Sequence, residues 1–212
     1  MAEKKAVLFD FDGTLFFDTQ KLNTWVFTQV LANMGLEPAS QERINQTVGM
    51  KPREIAQWMT RSDDEKVQDA FTLAETELTV EYIARFVERG ESAKKMLDTL
   101  RPLAKLAICS NATEIYMDKM MDRLELRSCF DTIWTYHQGI SKAIAIPRVM
   151  EILGVKSAIF VGDRAEDVSS ARKAGIPVVG IRNPMFPHEV DGADVIVHDH
   201  EEMTKAIQKL LA

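Results

Sequence analysis

The chain predicts an α/β fold, a doubly wound parallel sheet interrupted after its first strand by an all-helical block. Three observations carry this. Six short runs, at 6–10, 105–110, 132–136, 158–163, 177–181 and 194–197, are nearly continuously apolar, as strands covered on both faces are. Helical stretches at 92–100, 113–124, 147–153, 167–174 and 201–211 alternate with them, the pattern of parallel strands joined by crossover helices. From 17 to 89 the rhythm breaks, and only helical spacing is found.

The first run, Ala6-Val7-Leu8-Phe9, leads into Asp10-Phe11-Asp12-Gly13-Thr14-Leu15. The helical block opens with Trp25, Val26, Gln29, Val30 and Asn33 on helical spacings, closed by Gly35. Ser40 and Ser62 read as helix N-caps, and Ser62 has Glu65 three residues on, as a capping box requires. Phe16 and Phe17 lie at the hinge where the block begins, with packing beneath it as the plain alternative. Beyond the block, Met117, Met120 and Met121 fall at helical spacing and read as core. Gly175-Ile176-Pro177 stops the helix expected over 167–174.

Length and charge bound what the chain does. Its 212 residues fit one domain with an insertion, or two small domains. The 46% hydrophobic fraction supports a sizeable core. Net charge is −6, from 32 acidic and 26 basic residues, which argues against nucleic acid as a partner. No apolar run approaches the roughly 18 residues of a membrane span. The opening residues do not read as a signal peptide, and two cysteines, Cys109 and Cys129, are too few for a disulfide framework. A cytoplasmic protein with reduced thiols is the expectation. The four histidines, His137, His188, His198 and His200, read as solvated surface residues, with His137 near the rim of the site described next.

Polar residues recur just beyond the strands. Asp10 and Asp12 follow the first, Ser110 and Asn111 the second, and Asp163, behind Gly162, the fourth. Ligands of open parallel sheets bind outside the carboxyl ends of strands, so three such sites converge in space although far apart in sequence. Alternation along an extended chain sets Asp10 and Asp12 on one side and Phe11 on the other. Two neighbouring buried carboxylates are costly unless a cation compensates them. Asp10 and Asp163 offer the hard oxygen ligands that Mg²⁺ takes. Asp167, near the start of a helix, also suits the macrodipole as a simple cap.

These residues make the chain resemble the haloacid dehalogenase superfamily in its phosphatase branch. Asp10-Phe11-Asp12-Gly13-Thr14 matches the first motif of that family, Ser110 the second and Gly162-Asp163-x-x-x-Asp167 the fourth. Lys142 stands for the third, with Arg148 the competing cation, and the usual Lys-Pro pair is missing. The resemblance spans essentially the whole chain. It implies a Rossmann-like core over 1–16 and 90–212 and a helical cap domain over 17–89, similar to relatives of phosphoglycolate phosphatase and β-phosphoglucomutase.

It also implies roles. Asp10 is the nucleophile, forming an aspartyl-phosphate, and Asp12 the general acid and base. Mg²⁺ is held by the Asp10 carboxylate, the Asp12 backbone carbonyl and Asp163, with Asp167 acting through water or outside the ligand shell. Thr14, Ser110, Asn111 and Lys142 bind the phosphoryl group. In the cap, Thr47-Val48-Gly49-Met50-Lys51-Pro52-Arg53 resembles the substrate loop, and Lys51 or Arg53 would pair with an anionic group of the substrate; a solvated turn between helices is the other reading. Asp18-Thr19 lies one residue later than in phosphoglycolate phosphatases, and their Trp-Gly signature after the fifth strand is absent. The expectation is a Mg²⁺-dependent phosphatase acting on a small phosphorylated metabolite, as a monomer or homodimer. A phosphosugar mutase, or a non-catalytic phosphate-binding protein on the same fold, are the alternatives.

Overall fold

All six expected strands form, and they join one parallel sheet in the order β3-β2-β1-β4-β5-β6. The computed structural model describes residues 5–136 and 140–212; His137 lies outside them. The strands are β1 (Lys5–Phe9), β2 (Lys105–Cys109), β3 (Thr132–Trp134), β4 (Ser157–Gly162), β5 (Val178–Ile181) and β6 (Val195–Val197). The helical insertion after β1 contains α1 (Thr19–Asn33), α2 (Gln41–Asn45), α3 (Pro52–Thr60) and α4 (Glu65–Phe86), and α5 (Glu91–Leu100) then leads into β2. The others are α6 (Glu114–Leu124), α7 (Lys142–Leu153), α8 (Ala165–Ala174) and α9 (His200–Leu211).

The two faces of β1 seed two cores. Ala6 and Leu8 pack with Ala145 and Val149 of α7 and Ala171 of α8. Val7 and Phe9 belong to a larger cluster with Leu97, Met120 and Met203, which runs on through Phe11 and Phe16 to Phe27 and Phe71 of the inserted helices. Each such fully buried side chain contributes about 1.5–3 kcal/mol of transfer free energy, so one continuous apolar body holds the helical block on the sheet.

This strand order creates the site. The chain leaves β1 toward β2 and β3 and returns on the other side at β4, so β1 and β4 flank the point where the winding reverses. A crevice at the carboxyl ends of strands opens there. Phe9 stands beside Val161 in the register, and the Asp10 amide donates to the Val161 carbonyl at 2.8 Å. The segments after β1 and β4 therefore leave the sheet side by side.

Several local expectations are corrected. Helix α7 begins at Lys142, five residues before Pro147, which is tolerated inside it while Ala145, Ile146 and Val149 are buried. Ser62 does not cap α4: Asp64 does, accepting from the Lys66 amide at 2.9 Å. Phe17 is not packed beneath the block but 49% exposed, stacked on His200. His200 is no surface residue. It is buried, with Nε2 2.9 Å from the Thr14 carbonyl and Nδ1 2.8 Å from the Ser92 hydroxyl. A carbonyl only accepts, so Nε2 carries the proton, and burial lowers the pKa of the ring. No helix among the described residues is long and apolar enough to cross a membrane.

Candidate active site

Asp10, Asp163 and Asp167 come together beyond β1 and β4. One carboxylate oxygen of each lies within 4.8 Å of the other two, and all three residues are buried. Two glycines make this approach possible. A Cβ on Gly13 would stand 2.1 Å from Asp163 Oδ2, and one on Gly162 would stand 2.3 Å from Asp167 Oδ2. Gly13 also has φ of +77°, where other residues are strained.

Lys142 supplies the positive charge. From the first turn of α7, its Nζ lies 2.9 Å from Asp10 Oδ1 and 2.6 Å from Asp167 Oδ1. Burial disfavours its charge, but the two carboxylates outweigh burial and hold the ammonium well above its ordinary pKa. Arg148, the competing cation in the sequence, is exposed on α7.

One ammonium does not balance three carboxylates. Asp163 is pushed up to about 8, by burial first and then by the charges of Asp10 and Asp167. Asp167 is raised to about 6, again mainly by burial. Asn183 Nδ2 donates to Asp163 Oδ2 at 2.7 Å, while Asp163 Oδ1, buried, has no hydrogen-bond partner among the described residues. An orphaned carboxylate oxygen inside an all-oxygen cluster fits a hard divalent cation such as Mg²⁺. On this donor chemistry the residues fit the metal that the sequence implies.

Asp12 stands in front of this cluster in a different environment. Tyr116 of α6 donates to its Oδ1 at 2.7 Å and Thr19 of α1 at 2.9 Å. Burial raises its pKa to about 6, against the lowering effect of the Tyr116 hydrogen bond. Such a carboxyl gains and loses a proton near neutral pH, as an acid and base must.

A cavity of about 100 Å³ opens over these groups, roofed by the inserted helices. Asp10, Asp12, Ser110, Asn111 and Lys142 line it from the sheet side. Thr14 is buried outside the lining, and among the described residues its hydroxyl has no hydrogen-bond partner. Hydrogen bonds also tie the 47–50 stretch of the roof to the loops beyond the sheet. Arg164 Nη1 donates to the Val48 carbonyl at 2.6 Å, and Asn111 Nδ2 to the Gly49 carbonyl at 3.4 Å. The 47–50 stretch lines the cavity, but Lys51 and Arg53 do not. Arg53 turns to Glu65 at 2.9 Å and Asp69 at 3.2 Å in exposed pairs, and the Lys51 amide bonds Glu54 at 3.1 Å. The Arg53 side chain is therefore spent on exposed ion pairs outside the cavity.

Four residues of the site escape sequence reasoning. Asn183 sits two residues past β5, so the strand-end rule that singles out Asp10, Ser110 and Asp163 would have found it. Thr19, Tyr116 and Glu75 lie on helices, where nothing in the periodicity separates them from packing or surface positions.

The model of the family described as haloacid dehalogenase-like hydrolase matches residues 7–181. The chain belongs to that family. A phosphoglycolate phosphatase of Agrobacterium fabrum is 29% identical, over 97% of this chain and 93% of its own length. Among solved structures, a predicted phosphoglycolate phosphatase from Haemophilus somnus superposes with a TM-score of 0.86 at 19% identity, covering 98% of this chain and all of that one. CbbY from Rhodobacter sphaeroides, in complex with xylulose-(1,5)bisphosphate, gives a TM-score of 0.77 at 20% identity, covering 94% of this chain and 96% of that one. The two solved structures share the fold, and the homologues named phosphoglycolate phosphatase place the chain among the phosphatases of its family.

Proposed function

We propose that the protein is a divalent-metal-dependent phosphatase that hydrolyses a small phosphomonoester through an aspartyl-phosphate on Asp10. The observation that carries this is the division between the two aspartates at the end of β1. Asp10 is locked among Lys142, Asp163 and Asp167, while Asp12 faces the cavity with hydrogen-bond donors and a pKa near neutrality.

In this reading an Asp10 carboxylate oxygen attacks phosphorus, and the bond to the leaving oxygen breaks. Asp12 gives its proton to that oxygen. Asp12, now a carboxylate, takes a proton from the water that cleaves the acyl phosphate, which restores both groups. The Lys142 ammonium offsets repulsion between the Asp10 carboxylate and the anionic phosphoryl group. The Ser110 hydroxyl, the free Thr14 hydroxyl and the Asn111 amide are the polar groups assigned to the phosphoryl oxygens. Asp10, the Asp12 carbonyl and Asp163 would hold Mg²⁺, with Asp167 behind them; the ion, when bound, supplies electrostatic stabilisation of charge on the transferring group.

The inserted helices, residues 17–89, act as a cap domain on a core of 1–16 and 90–212. They exclude water from the cavity and contribute its leaving-group end. The test is inorganic phosphate release from 4-nitrophenyl phosphate with Mg²⁺. Turnover that a chelator removes and Mg²⁺ restores is expected; turnover indifferent to chelation contradicts the metal assignment.

A further inference from the structure

The far end of the cavity is formed by the inserted helices, and α4 turns Phe71, Thr72, Glu75 and Thr79 toward it. The spacing of 71, 75 and 79 is one helix face. Glu75 stands apart from its neighbours. The Thr72 hydroxyl is satisfied by the Gln68 carbonyl at 2.9 Å. The Glu75 carboxyl accepts one long bond, 3.5 Å, from Thr79, and among the described residues no cation pairs with it. Desolvation raises its pKa to about 7. A partly buried acid held by one long hydrogen bond costs folding free energy, and such costs gather at functional sites.

Equally telling is the fate of the cations around it. Lys142 is committed to Asp10 and Asp167. Arg164 is committed to Glu189 at 2.7 Å and to the Val48 carbonyl. Lys51 and Arg53 do not line the cavity. Among the described residues, no lining cation is left to receive a carboxylate on the substrate. The cavity end offers a hydrogen-bonding carboxyl between apolar walls, and among the described residues no lining cation there would offset a carboxylate on the substrate.

We infer that Glu75 is the specificity-determining residue of the leaving-group end, and that it selects small phosphomonoesters whose leaving group carries a hydrogen-bond donor, a hydroxyl or an ammonium, over those that end in a carboxylate. This rests on the phosphatase reading of the core. It also separates this chain from the acid substrate in the names of its relatives, because the leaving-group end is built from different residues than the phosphoryl end. A donor would give the Glu75 carboxyl a stronger partner than the long Thr79 bond, and a site that hydrogen-bonds a substrate group discriminates against analogues that lack it.

The experiment compares kcat/KM with Mg²⁺ for 4-nitrophenyl phosphate, glycerol 1-phosphate, phosphoethanolamine and phosphoglycolate, using wild type, Glu75→Gln, Glu75→Leu and Glu75→Lys. The wild type is expected to favour a donor-bearing substrate over phosphoglycolate at least about tenfold. In Glu75→Leu, kcat/KM for that substrate relative to the aryl phosphate falls roughly tenfold to a hundredfold. Glu75→Gln keeps a carbonyl acceptor, so it strips preference for an ammonium and spares a hydroxyl, which identifies the donor. Glu75→Lys shifts preference toward phosphoglycolate. A wild type that prefers phosphoglycolate, or a Glu75→Leu variant that lowers all four substrates equally, overturns the inference and leaves the phosphatase reading standing. A wild type that hydrolyses none of them removes both.

Discussion

Replacing Glu75 by Gln should make the protein's stability less dependent on pH, in one direction only. In the folded chain burial lifts this carboxyl to about 7 from an ordinary 4.5. Between those values the folded state holds a proton that the unfolded state has lost, so stability falls as pH rises. Below about 4.5 both states are protonated and the site costs nothing; above about 7 both are ionised and the full cost is present. At about 1.4 kcal/mol per pH unit, the gap corresponds to about 3 kcal/mol. Glutamine is neutral throughout and nearly isosteric. Urea unfolding of both proteins, in chelator, should therefore show equal stability near pH 4 and a Glu75→Gln advantage that grows to about 3 kcal/mol by pH 8. The difference between the proteins isolates this residue from the other carboxylates. A difference that stays flat from pH 4 to pH 8, or that favours the wild type at high pH, refutes the reasoning.

Three further outcomes follow from the aspartate cluster. Lys142→Met leaves Asp10 and Asp167 buried without their cation and should cost about 3–5 kcal/mol in urea unfolding; a loss under about 1 kcal/mol would mean the cluster is compensated in another way. Gly13→Ala drives a methyl group to within 2.1 Å of Asp163 Oδ2 at a positive φ; Mg²⁺ affinity by calorimetry should fall with turnover, and wild-type affinity contradicts the packing argument. Saturating Mg²⁺, at about 100 times its Kd, should raise the melting temperature of the wild type by about 5–10 °C. Asp163→Asn should show little of this rise, and an equal rise places the ion elsewhere.

Regular structure and the phosphoryl end of the site were legible because they rest on short-range rules. Continuously apolar runs mark strands covered on both faces, and polar residues just past them mark the open end of the sheet. Asp10, Ser110 and Asp163 are found that way without any knowledge of the fold. Lys142 and Arg148 are not separable in sequence, because what distinguishes them is burial: one face of α7 turns Lys142 to Asp10 and Asp167, and the other turns Arg148 to solvent. His200 was misread for a similar reason. Nothing near it in sequence reveals that Thr14, 186 residues away, offers a carbonyl to its ring. The inserted helices were legible as helices, but not in what they present to the cavity. Arg53 has the charge expected of a substrate contact and spends it on Glu65 and Asp69, whereas Glu75, unremarkable within a helix rich in glutamates, faces the cavity. Long-range packing decides both.

The most direct test of the account concerns the bond that Asp10 is proposed to make. Wild type and Asp10→Asn are mixed with a ³²P-labelled small phosphomonoester and Mg²⁺, quenched in acid within the turnover time, and digested for peptide mapping. The account predicts label on the wild type at the peptide holding Asp10, released by hydroxylamine as an acyl phosphate, and neither label nor phosphate release from Asp10→Asn. Label on another residue, or continued turnover by Asp10→Asn, would contradict it.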